Sequence, residues 1–333
     1  MKNKLILILV LVVLVGGGYL VTTKLMNTSP NELRKITVRL NWLGQAQYAG
    51  IYTAIEKGFY KDKGLDVTLK EYEEGLDQTV EVAEGKVEFG ISTPPELIPA
   101  IEAGYKVKAL AAINQTSPQA FVSLKNKNIT KPTDFTGRTL GAKGGNKAAH
   151  IVYEAFIKKY GIKNAKIKDL DYSQRETEDI VNNRADVVDI YRTDQKYQFE
   201  KQGIEFNILF PENFGISSYG DVLITSNALI EVEPELVSNF VEATLRGWEY
   251  AANNFNEALA FTIKHQNPEY ADSDLERHIL TEILKLSRPV GGAKFGSMNF
   301  ITWNESVKQL QVSKVIKANF DTRQIYTTDF INK

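Results

Sequence analysis

The fold is decided by residues 35–69, which read KITVRL, NWLGQAQYAG, IYTAIEKGFY and KDKGLDVTL in succession. Residues 35–40 alternate in the manner of a half-buried strand. Residues 49–57 have the pattern of a helix, which Gly58 closes, and residues 65–69 form a second strand pattern. A helix between two strands of one sheet crosses back over it and leaves the strands parallel. This stretch therefore predicts a β-α-β unit and an α/β fold.

The same alternation of strands and helices continues along the chain. After residue 119 the pattern begins a fresh set of strands and helices, so we expect two sheets. From residue 234 onward helical periodicity dominates. The further predicted strands are 89–91, 107–113, 120–124, 139–141, 187–191, 205–210 and 222–225, and the further predicted helices include 76–84, 95–103 and 148–160.

Composition excludes several kinds of function. The chain has 333 residues, of which 43% are hydrophobic, and this is enough for two domains of ordinary size. It contains no cysteine, so disulfides and thiolate metal sites are excluded, and we predict no metal site. Once Lys2, Lys4 and Lys24 are set aside with the first 27 residues, 37 basic and 41 acidic residues remain. That balance offers no electrostatic reason to bind nucleic acid.

The N-terminal 27 residues predict export. Lys2 and Lys4 precede an uncharged, almost wholly apolar run over residues 5–21, which is typical of a signal segment. No clear small-residue cleavage site follows, and the run approaches the lower limit for spanning a bilayer. We expect residues 1–27 to be a signal and membrane anchor on the extracytoplasmic face, followed by a linker over residues 28–34. If the signal is cleaved, the protein is secreted or periplasmic. Lipidation through a cysteine is excluded by composition.

One series of motifs identifies a family. AGIY at residues 49–52, EKGFY at 56–60 and GLDV at 64–67 form the most specific phrase in the chain. EFGIST at 88–93, residues 141–146, residues 186–191 and YGD at 219–221 follow in order. This order resembles the thiamine-pyrimidine-precursor and alkanesulfonate branch of ABC-transporter solute-binding proteins, which share a thiamine pyrimidine synthase-like domain. The resemblance runs from about residue 36 to the C-terminus.

The resemblance implies a type II periplasmic-binding-protein fold, in which two α/β lobes joined by two crossing strands close over a ligand cleft. We expect the crossings near Gln119 and Tyr219. Lobe 1 is then discontinuous and comprises residues 35–119 and 221–333, while lobe 2 comprises residues 120–220. Short connectors between long ordered lobes suit hinge closure.

Candidate ligand contacts lie in loops that follow predicted strands, because ligands of open α/β sheets bind outside the carboxyl ends of the strands. In the first loop, Trp42 and Tyr48 offer flat faces, and Gln45 and Gln47 offer amide hydrogen bonds, which suits a planar heteroaromatic ligand. The alternative for Trp42 is packing within the lobe. Thr93 is a further candidate, although helix capping explains it equally well.

The remaining candidates come from three later loops. Gly145 and Asn146 open a helix whose backbone N–H groups can receive an anion or a carbonyl oxygen, with a plain turn as the alternative. Tyr191 and Arg192 end a strand where the family places ligand contacts; Arg192 is alternatively a solvated charge at the rim. Candidates at the second crossing are Tyr219 and Asp221. Asp221 is predicted to accept a hydrogen bond from a ligand amino group, or else to make a structural bond between the lobes.

These features predict a solute-binding protein that delivers a small heteroaromatic nitrogenous ligand to an ABC permease and ATPase, with a thiamine pyrimidine precursor as the first choice. One alternative is a binding protein that signals to a separate receptor; related domains are fused to output domains, but this chain ends soon after residue 330. Another alternative is the binding of an alkanesulfonate or other small organic molecule.

An enzyme is the least favoured interpretation. A eukaryotic branch of the family makes the thiamine pyrimidine with pyridoxal phosphate, a histidine and a cysteine-rich motif. This chain has no cysteine, and His150, His265 and His278 do not stand in a nucleophile or metal-ligand spacing. We therefore predict no catalytic residue and no cofactor.

Overall fold

The computed structural model describes residues 32–144, 146–171, 175–289, 291 and 293–331. The predicted signal anchor and most of the predicted linker lie outside these residues. Residues 33–333 make up one compact unit of the chain. Within the described ranges, every helix is too short or too polar to cross a bilayer.

The first sheet is five-stranded, with the order β2-β1-β3-β10-β4. Strand β1 is parallel to β2 and β3, whereas β10 runs antiparallel to its neighbours β3 and β4. Its strands are β1 (Arg34–Arg39), β2 (Leu65–Lys70), β3 (Phe89–Ser92), β4 (Val107–Ala112) and β10 (Val222–Ser226). The helices between them are α1 (Ala49–Glu56), α2 (Phe59–Asp62), α3 (Gln78–Ala83) and α4 (Pro94–Glu102). This confirms the β-α-β unit predicted from residues 35–69.

The second sheet is also five-stranded, with the order β7-β6-β8-β5-β9. Strand β6 is parallel to β7 and β8, and β5 is antiparallel to β8 and β9. Its strands are β5 (Gln119–Leu124), β6 (Thr139–Lys143), β7 (Lys166–Leu170), β8 (Val187–Tyr191) and β9 (Phe206–Leu209). Its helices are α5 (Lys147–Tyr160), α6 (Glu176–Val181) and α7 (Gln195–Lys201). Strand β7 and helices α6 and α7 are additions to the elements predicted from sequence.

The chain ends in a largely helical region, as the periodicity after residue 234 predicts. Its helices are α8 (Asn227–Val232), α9 (Pro234–Asn253), α10 (Phe255–His265), α11 (Ser273–Ser287) and α12 (Phe300–Val312). Helix α9 packs closely on α1, since a Cβ added to Gly247 would lie 2.1 Å from the carbonyl oxygen of Gly50. This close packing fixes the position of α1, and therefore the end of the loop that precedes it.

Two crossing segments join the sheets. Residues 113–118 connect β4 to β5, and residues 210–221 connect β9 to β10. They lie side by side, because the backbone N–H of Ser117 donates to Ser218 O at 2.9 Å and that of Gly220 donates to Asn114 O at 3.1 Å. A Cβ on Gly220 would come within 2.9 Å of Asn114 and Pro118, so glycine permits this contact. The crossings lie where the sequence predicts them, and the exact lobe boundaries stay a prediction.

Candidate functional site

Asn41 and Asp221 meet at the carboxyl ends of the first sheet. Asn41 follows β1, and Asp221 precedes β10, which is antiparallel and so begins where β3 ends. Asn41 Nδ2 donates to Asp221 Oδ1 at 2.9 Å, and Gln47 Nε2 donates to Asp221 Oδ2 at 2.7 Å. The Tyr48 hydroxyl donates to Asn41 Oδ1 at 2.7 Å. These side chains form one polar network, in which an amide holds each oxygen of the carboxylate.

Carboxylates from distant segments hold the loop that carries this network. Glu71 accepts a hydrogen bond from the Gly44 backbone N–H at 2.8 Å, and Glu276 of α11 accepts one from the Ala46 N–H at 2.6 Å. Gln45 Nε2 donates to Gln47 Oε1 at 2.9 Å, which orients Gln47 towards Asp221. Protein contacts thus hold the first loop in place, and a loop held in this way lowers the entropic cost of binding.

The two aromatic candidates of the first loop differ in position. Trp42 is 47% exposed and stacks on Tyr72, with 5.6 Å between ring centroids. Trp42 thus lies outside the core, and its role as a ligand contact, with packing within the lobe against Tyr72 as the alternative, stays a prediction. Tyr48 is only 1% exposed, so its ring belongs to the core and only its hydroxyl joins the polar network. A flat face open to a ligand is offered by Trp42 and not by Tyr48.

Thr93 begins α4, and Glu96 accompanies it. The Thr93 backbone N–H donates to Glu96 Oε2 at 3.3 Å, and Gln78 Nε2 donates to the same oxygen at 2.9 Å. The Glu96 side chain is exposed, yet the surrounding protein desolvates its carboxyl, which together with Asp77 and Asp221 raises its pKa to about 7. Glu96 is a residue that sequence reasoning missed; the signal was a Glu three positions after the capping Thr, at the carboxyl end of β3.

In the second sheet, Asn146 opens α5. Its side-chain oxygen accepts a hydrogen bond from the Ala148 backbone N–H at 3.0 Å, and its Nδ2 donates to Asp189 Oδ2 at 2.7 Å. Asp189 also accepts from the Lys143 N–H at 2.8 Å and is buried, and desolvation raises its pKa to about 6. Asn146 therefore serves as a helix cap and ties α5 to β8. Gly145 lies outside the described residues.

Tyr191 and Arg192 end β8 and differ sharply. Tyr191 is 40% exposed, and its backbone N–H donates to Gln195 Oε1 at 2.8 Å. Arg192 is only 7% exposed, so the alternative of a solvated rim charge is wrong. Its guanidinium forms a bidentate pair with Glu212, at 2.7 and 3.0 Å, and donates to the carbonyl oxygens of Ser117, Pro118 and Gln119. Arg192 thus binds both crossing segments at once.

Tyr219 lies in the core and away from the other candidates. It is 2% exposed, its ring packs edge-on against Trp303 of α12 at 5.2 Å, and its hydroxyl accepts a hydrogen bond from the Asn299 N–H at 2.9 Å. The structure corrects the prediction that Tyr219 faces the cleft. Tyr219 is two positions before Asp221, a spacing that puts residues on one face of a regular strand. The crossing segment is irregular up to Val222, where β10 begins, so that alternation does not apply to Tyr219.

A contact across the cleft comes from α11. His278 Nε2 lies 3.3 Å from Arg192 O, the Tyr197 ring packs on His278, and Lys201 Nζ lies 3.4 Å from Asp272 Oδ2. Because α11 also carries Glu276, which holds the first loop, one helix contacts both the ligand loop of the first sheet and the crossing region of the second. Helix α11 therefore links the first loop to the segment that follows β8.

The carboxyls at the cleft are held without cations. Asp221 is 5% exposed, and among the described residues it has no ion pair; desolvation raises its pKa to about 6. Desolvation likewise raises the pKa of Glu276 to about 7 and that of Asp194, across the cleft, to about 6. Such groups favour ligands that donate hydrogen bonds or carry positive charge, and they repel anions.

Without ligand, we expect the protein to lose stability as the pH rises from about 4 to about 6, because Asp221 binds protons more tightly in the folded protein than in the unfolded chain, where its pKa is about 3.9. Stability from the raised pKa is therefore present at low pH and lost as the pH passes through about 6. Carboxyls with lowered pKa, such as Glu56, have the opposite effect, because the stability that they contribute is lost as the pH falls and they are protonated. In Asp221→Asn, the decrease in the free energy of unfolding over this pH range should be smaller by roughly 1–3 kcal/mol. Urea unfolding at several pH values measures this difference. Equal pH slopes in both proteins would contradict the assignment.

No group of three or more His, Cys, Asp and Glu side chains among the described residues is arranged to hold a metal ion. His150 pairs with Asp169 at 2.6 Å, and His265 pairs with Glu56 at 2.7 Å and stacks on Tyr52. His278 is the histidine at the Arg192 carbonyl. Each histidine thus has a protein partner, and none of the three is bonded to the Asp221 network.

Comparison with known proteins now places the chain in a family. Residues 45–258 match the family model described as NMT1/THI5 like. The chain belongs to this family. A riboflavin-binding protein, RibY, from Chloroflexus aurantiacus is 24% identical over 92% of this chain and 88% of its own. A formylaminopyrimidine-binding protein from Halalkalibacterium halodurans is 25% identical over 93% of this chain and 94% of its own.

The family also includes proteins named as enzymes. A 4-amino-5-hydroxymethyl-2-methylpyrimidine phosphate synthase from Legionella pneumophila is 23% identical over 89% of this chain and 92% of its own. Family membership therefore does not decide between a binding protein and a synthase. That distinction depends on the residues of the site.

A solved structure confirms the predicted fold class. The periplasmic aliphatic sulphonate-binding protein SsuA from Escherichia coli superposes with a TM-score of 0.68 at 12% identity, covering 90% of this chain and 93% of its own. At this identity the likeness concerns the fold alone. The two α/β lobes joined by two crossing strands are thus those of a type II periplasmic-binding protein.

Proposed function

We propose that this protein binds a small amino-bearing heteroaromatic molecule, with a thiamine pyrimidine precursor as the first choice, and delivers it to an ABC importer. The observation that carries the proposal is the Asp221 carboxylate, which is nearly buried and held by the neutral amides of Asn41 and Gln47. Each of its oxygens retains a lone pair for a further donor. The exposed Trp42 ring supplies a flat face from the same loop.

The charge of the site separates the ligand classes. A sulfonate needs donors or cations, and here the carboxyls of Asp221, Asp194 and Glu276 surround the cleft, while Arg192 and Lys143 are committed to Glu212 and Asp179. An amino group on an aromatic ring meets the opposite requirement, because it donates hydrogen bonds and leaves the ring free to stack. The pyrimidine and flavin ligands named for two relatives belong to the heteroaromatic class.

Binding without chemistry is the second part of the proposal. Catalysis by the synthase branch draws on a histidine and a cysteine-rich motif, whereas this chain has no cysteine. Its three histidines are engaged with Asp169, Glu56 and the Arg192 carbonyl. Among the described residues, the site therefore offers recognition by Asp221 and its amide partners, with no histidine bonded to that network.

Delivery follows from hinge closure at the extracytoplasmic face. Closing the sheets over the ligand buries it between Trp42 and the second sheet, and the closed shape is what the permease and ATPase partners would recognise. The apolar N-terminal segment over residues 5–21 would export the protein and keep it at the membrane.

Thermal unfolding with a panel of probes tests the proposal. We expect 4-amino-5-hydroxymethyl-2-methylpyrimidine to stabilise the protein by about 2.7 kcal/mol at a hundred times its dissociation constant, and methanesulfonate to have no effect. Riboflavin is included to distinguish binding of a flavin from binding of a pyrimidine. Stabilisation by methanesulfonate alone would refute the amino-heteroaromatic assignment.

A further inference from the structure

The side-chain amide nitrogen of Gln119 is a hydrogen-bond donor without an acceptor among the described residues. Gln119 is the first residue of β5 and is 4% exposed. Leaving a buried amide donor without a partner costs free energy, and native proteins retain few such groups. A buried glutamine of α12, Gln309, shows the usual arrangement, since its Nε2 donates to Ser217 O at 2.8 Å.

The strand register sets the face of the second sheet on which the Gln119 side chain projects. Gln119 is paired with Tyr191 in the antiparallel β5–β8 ladder, and Phe121 is paired with Asp189 two residues on. Paired residues of antiparallel strands project on the same face of the sheet, as do residues two apart along a strand. Gln119, Tyr191 and Asp189 therefore share a face, and Gln119 and Tyr191 lie at the carboxyl end of β8 that borders the cleft.

The position of Gln119 is also held firmly. Its carbonyl oxygen accepts a hydrogen bond from Arg192 Nη2 at 3.3 Å, and its backbone N–H donates to Ser117 Oγ at 3.3 Å. The residue joins the first crossing segment to the second sheet, so its backbone is fixed at the point where the chain enters β5. A group fixed in this way is preorganised to contact a ligand.

We infer that Gln119 binds the ligand directly through its carboxamide, and that the ligand presents an amino group next to an unprotonated ring nitrogen. This rests on the proposed function. A glutamine carboxamide is bidentate towards such an edge, because Nε2 donates to the ring nitrogen while Oε1 accepts from the amino group. An exocyclic amine has a second N–H, which remains for Asp221. The ligand thus forms hydrogen bonds with Asp221, next to the first sheet, and with Gln119, at the start of the second sheet.

Gln119→Met tests the inference, because methionine keeps the length and volume of the side chain and removes both hydrogen bonds. By isothermal titration, we expect the dissociation constant for 4-amino-5-hydroxymethyl-2-methylpyrimidine to rise at least tenfold. Urea unfolding of the ligand-free variant should show unchanged or increased stability, since an unsatisfied donor is removed. For the analogue without the 4-amino group, the rise in the dissociation constant from wild type to the variant should be smaller, because only the hydrogen bond to the ring nitrogen is then lost.

The control is Gln309→Met, which removes a satisfied hydrogen bond; it should lower stability and leave the affinity unchanged. Equal affinity of wild type and Gln119→Met for the pyrimidine overturns this inference and leaves the proposed function standing. Failure of wild type to bind the pyrimidine at all overturns both. A variant that loses stability and affinity together assigns Gln119 to packing and overturns the inference.

Discussion

Replacing Asp221 with Asn should weaken binding of the aminopyrimidine by roughly ten- to a hundredfold, since hydrogen bonds to charged groups contribute about 1.5–3 kcal/mol. The asparagine retains one acceptor oxygen for the amide of Asn41 or Gln47, so the loop should keep its position. Titration calorimetry at about pH 8, where Asp221 is ionised, measures the effect. In wild type, affinity should also decline below about pH 6, because the proton then competes with the ligand amine for the carboxylate.

Asp186→Asn is the matched control for Asp221→Asn. Asp186 precedes β8 at the end of the second sheet away from the cleft, where it accepts a hydrogen bond from the Thr139 N–H at 3.0 Å. This substitution should cost stability and leave affinity unchanged. If both variants bind the pyrimidine as wild type does, Asp221 is a structural residue, and the proposed ligand contact is wrong.

Arg192→Ala should lower the free energy of unfolding by roughly 2–4 kcal/mol, somewhat less than the 3–5 kcal/mol of a fully buried ion pair. The reduction reflects Glu212, whose side chain is 25% exposed and can regain water. The variant also leaves the carbonyl oxygens of Ser117 and Gln119 without the guanidinium donor. Urea unfolding followed by circular dichroism measures the loss.

Arg246→Ala provides the comparison for Arg192→Ala, because the Arg246 side chain is 55% exposed and pairs only loosely with Asp62, at 3.4 Å. We expect a change within about 1 kcal/mol for this exposed pair. A loss of similar size in both variants would show that Arg192 does not hold the crossing segments together. Because Arg192 binds both segments, its removal should also broaden the range of angles between the lobes, which small-angle X-ray scattering can detect.

Most strands and helices were predictable from the sequence because their patterns are local. Strand β8 was predicted at its exact span over residues 187–191, and α5 was predicted to within one residue at its start. Helix α3 starts later than predicted, at Gln78, because the Asp77 side chain caps it by accepting hydrogen bonds from Thr79 N–H and Val80 N–H. Strand β7 was missed because its sequence, KIKDL, has mostly exposed residues and only one that is fully buried.

The candidate site was predictable only as a set of loops. Asn41, Gln47 and Asp221 come together as the strand-end rule leads one to expect, but the roles of individual residues did not follow from it. Tyr219 faces the core, Arg192 binds the crossing segments, and Asn146 caps a helix. Residue type and spacing state what a side chain can do, whereas its partners decide what it does.

The residue order alone determined the β-α-β unit at 35–69, the two sheets and the family, since periodicity of strands and helices and short phrases such as AGIY and GLDV are properties of neighbouring residues. Only the tertiary structure decided that Asp221 is bonded to Asn41, 180 positions earlier, that Glu276 holds the Ala46 N–H, and that Gln119 is left with an unpaired amide. The reason is physical. Burial and hydrogen-bond partners arise between segments far apart in the chain, and these contacts decide which carboxyls are desolvated and which donors stay unpaired.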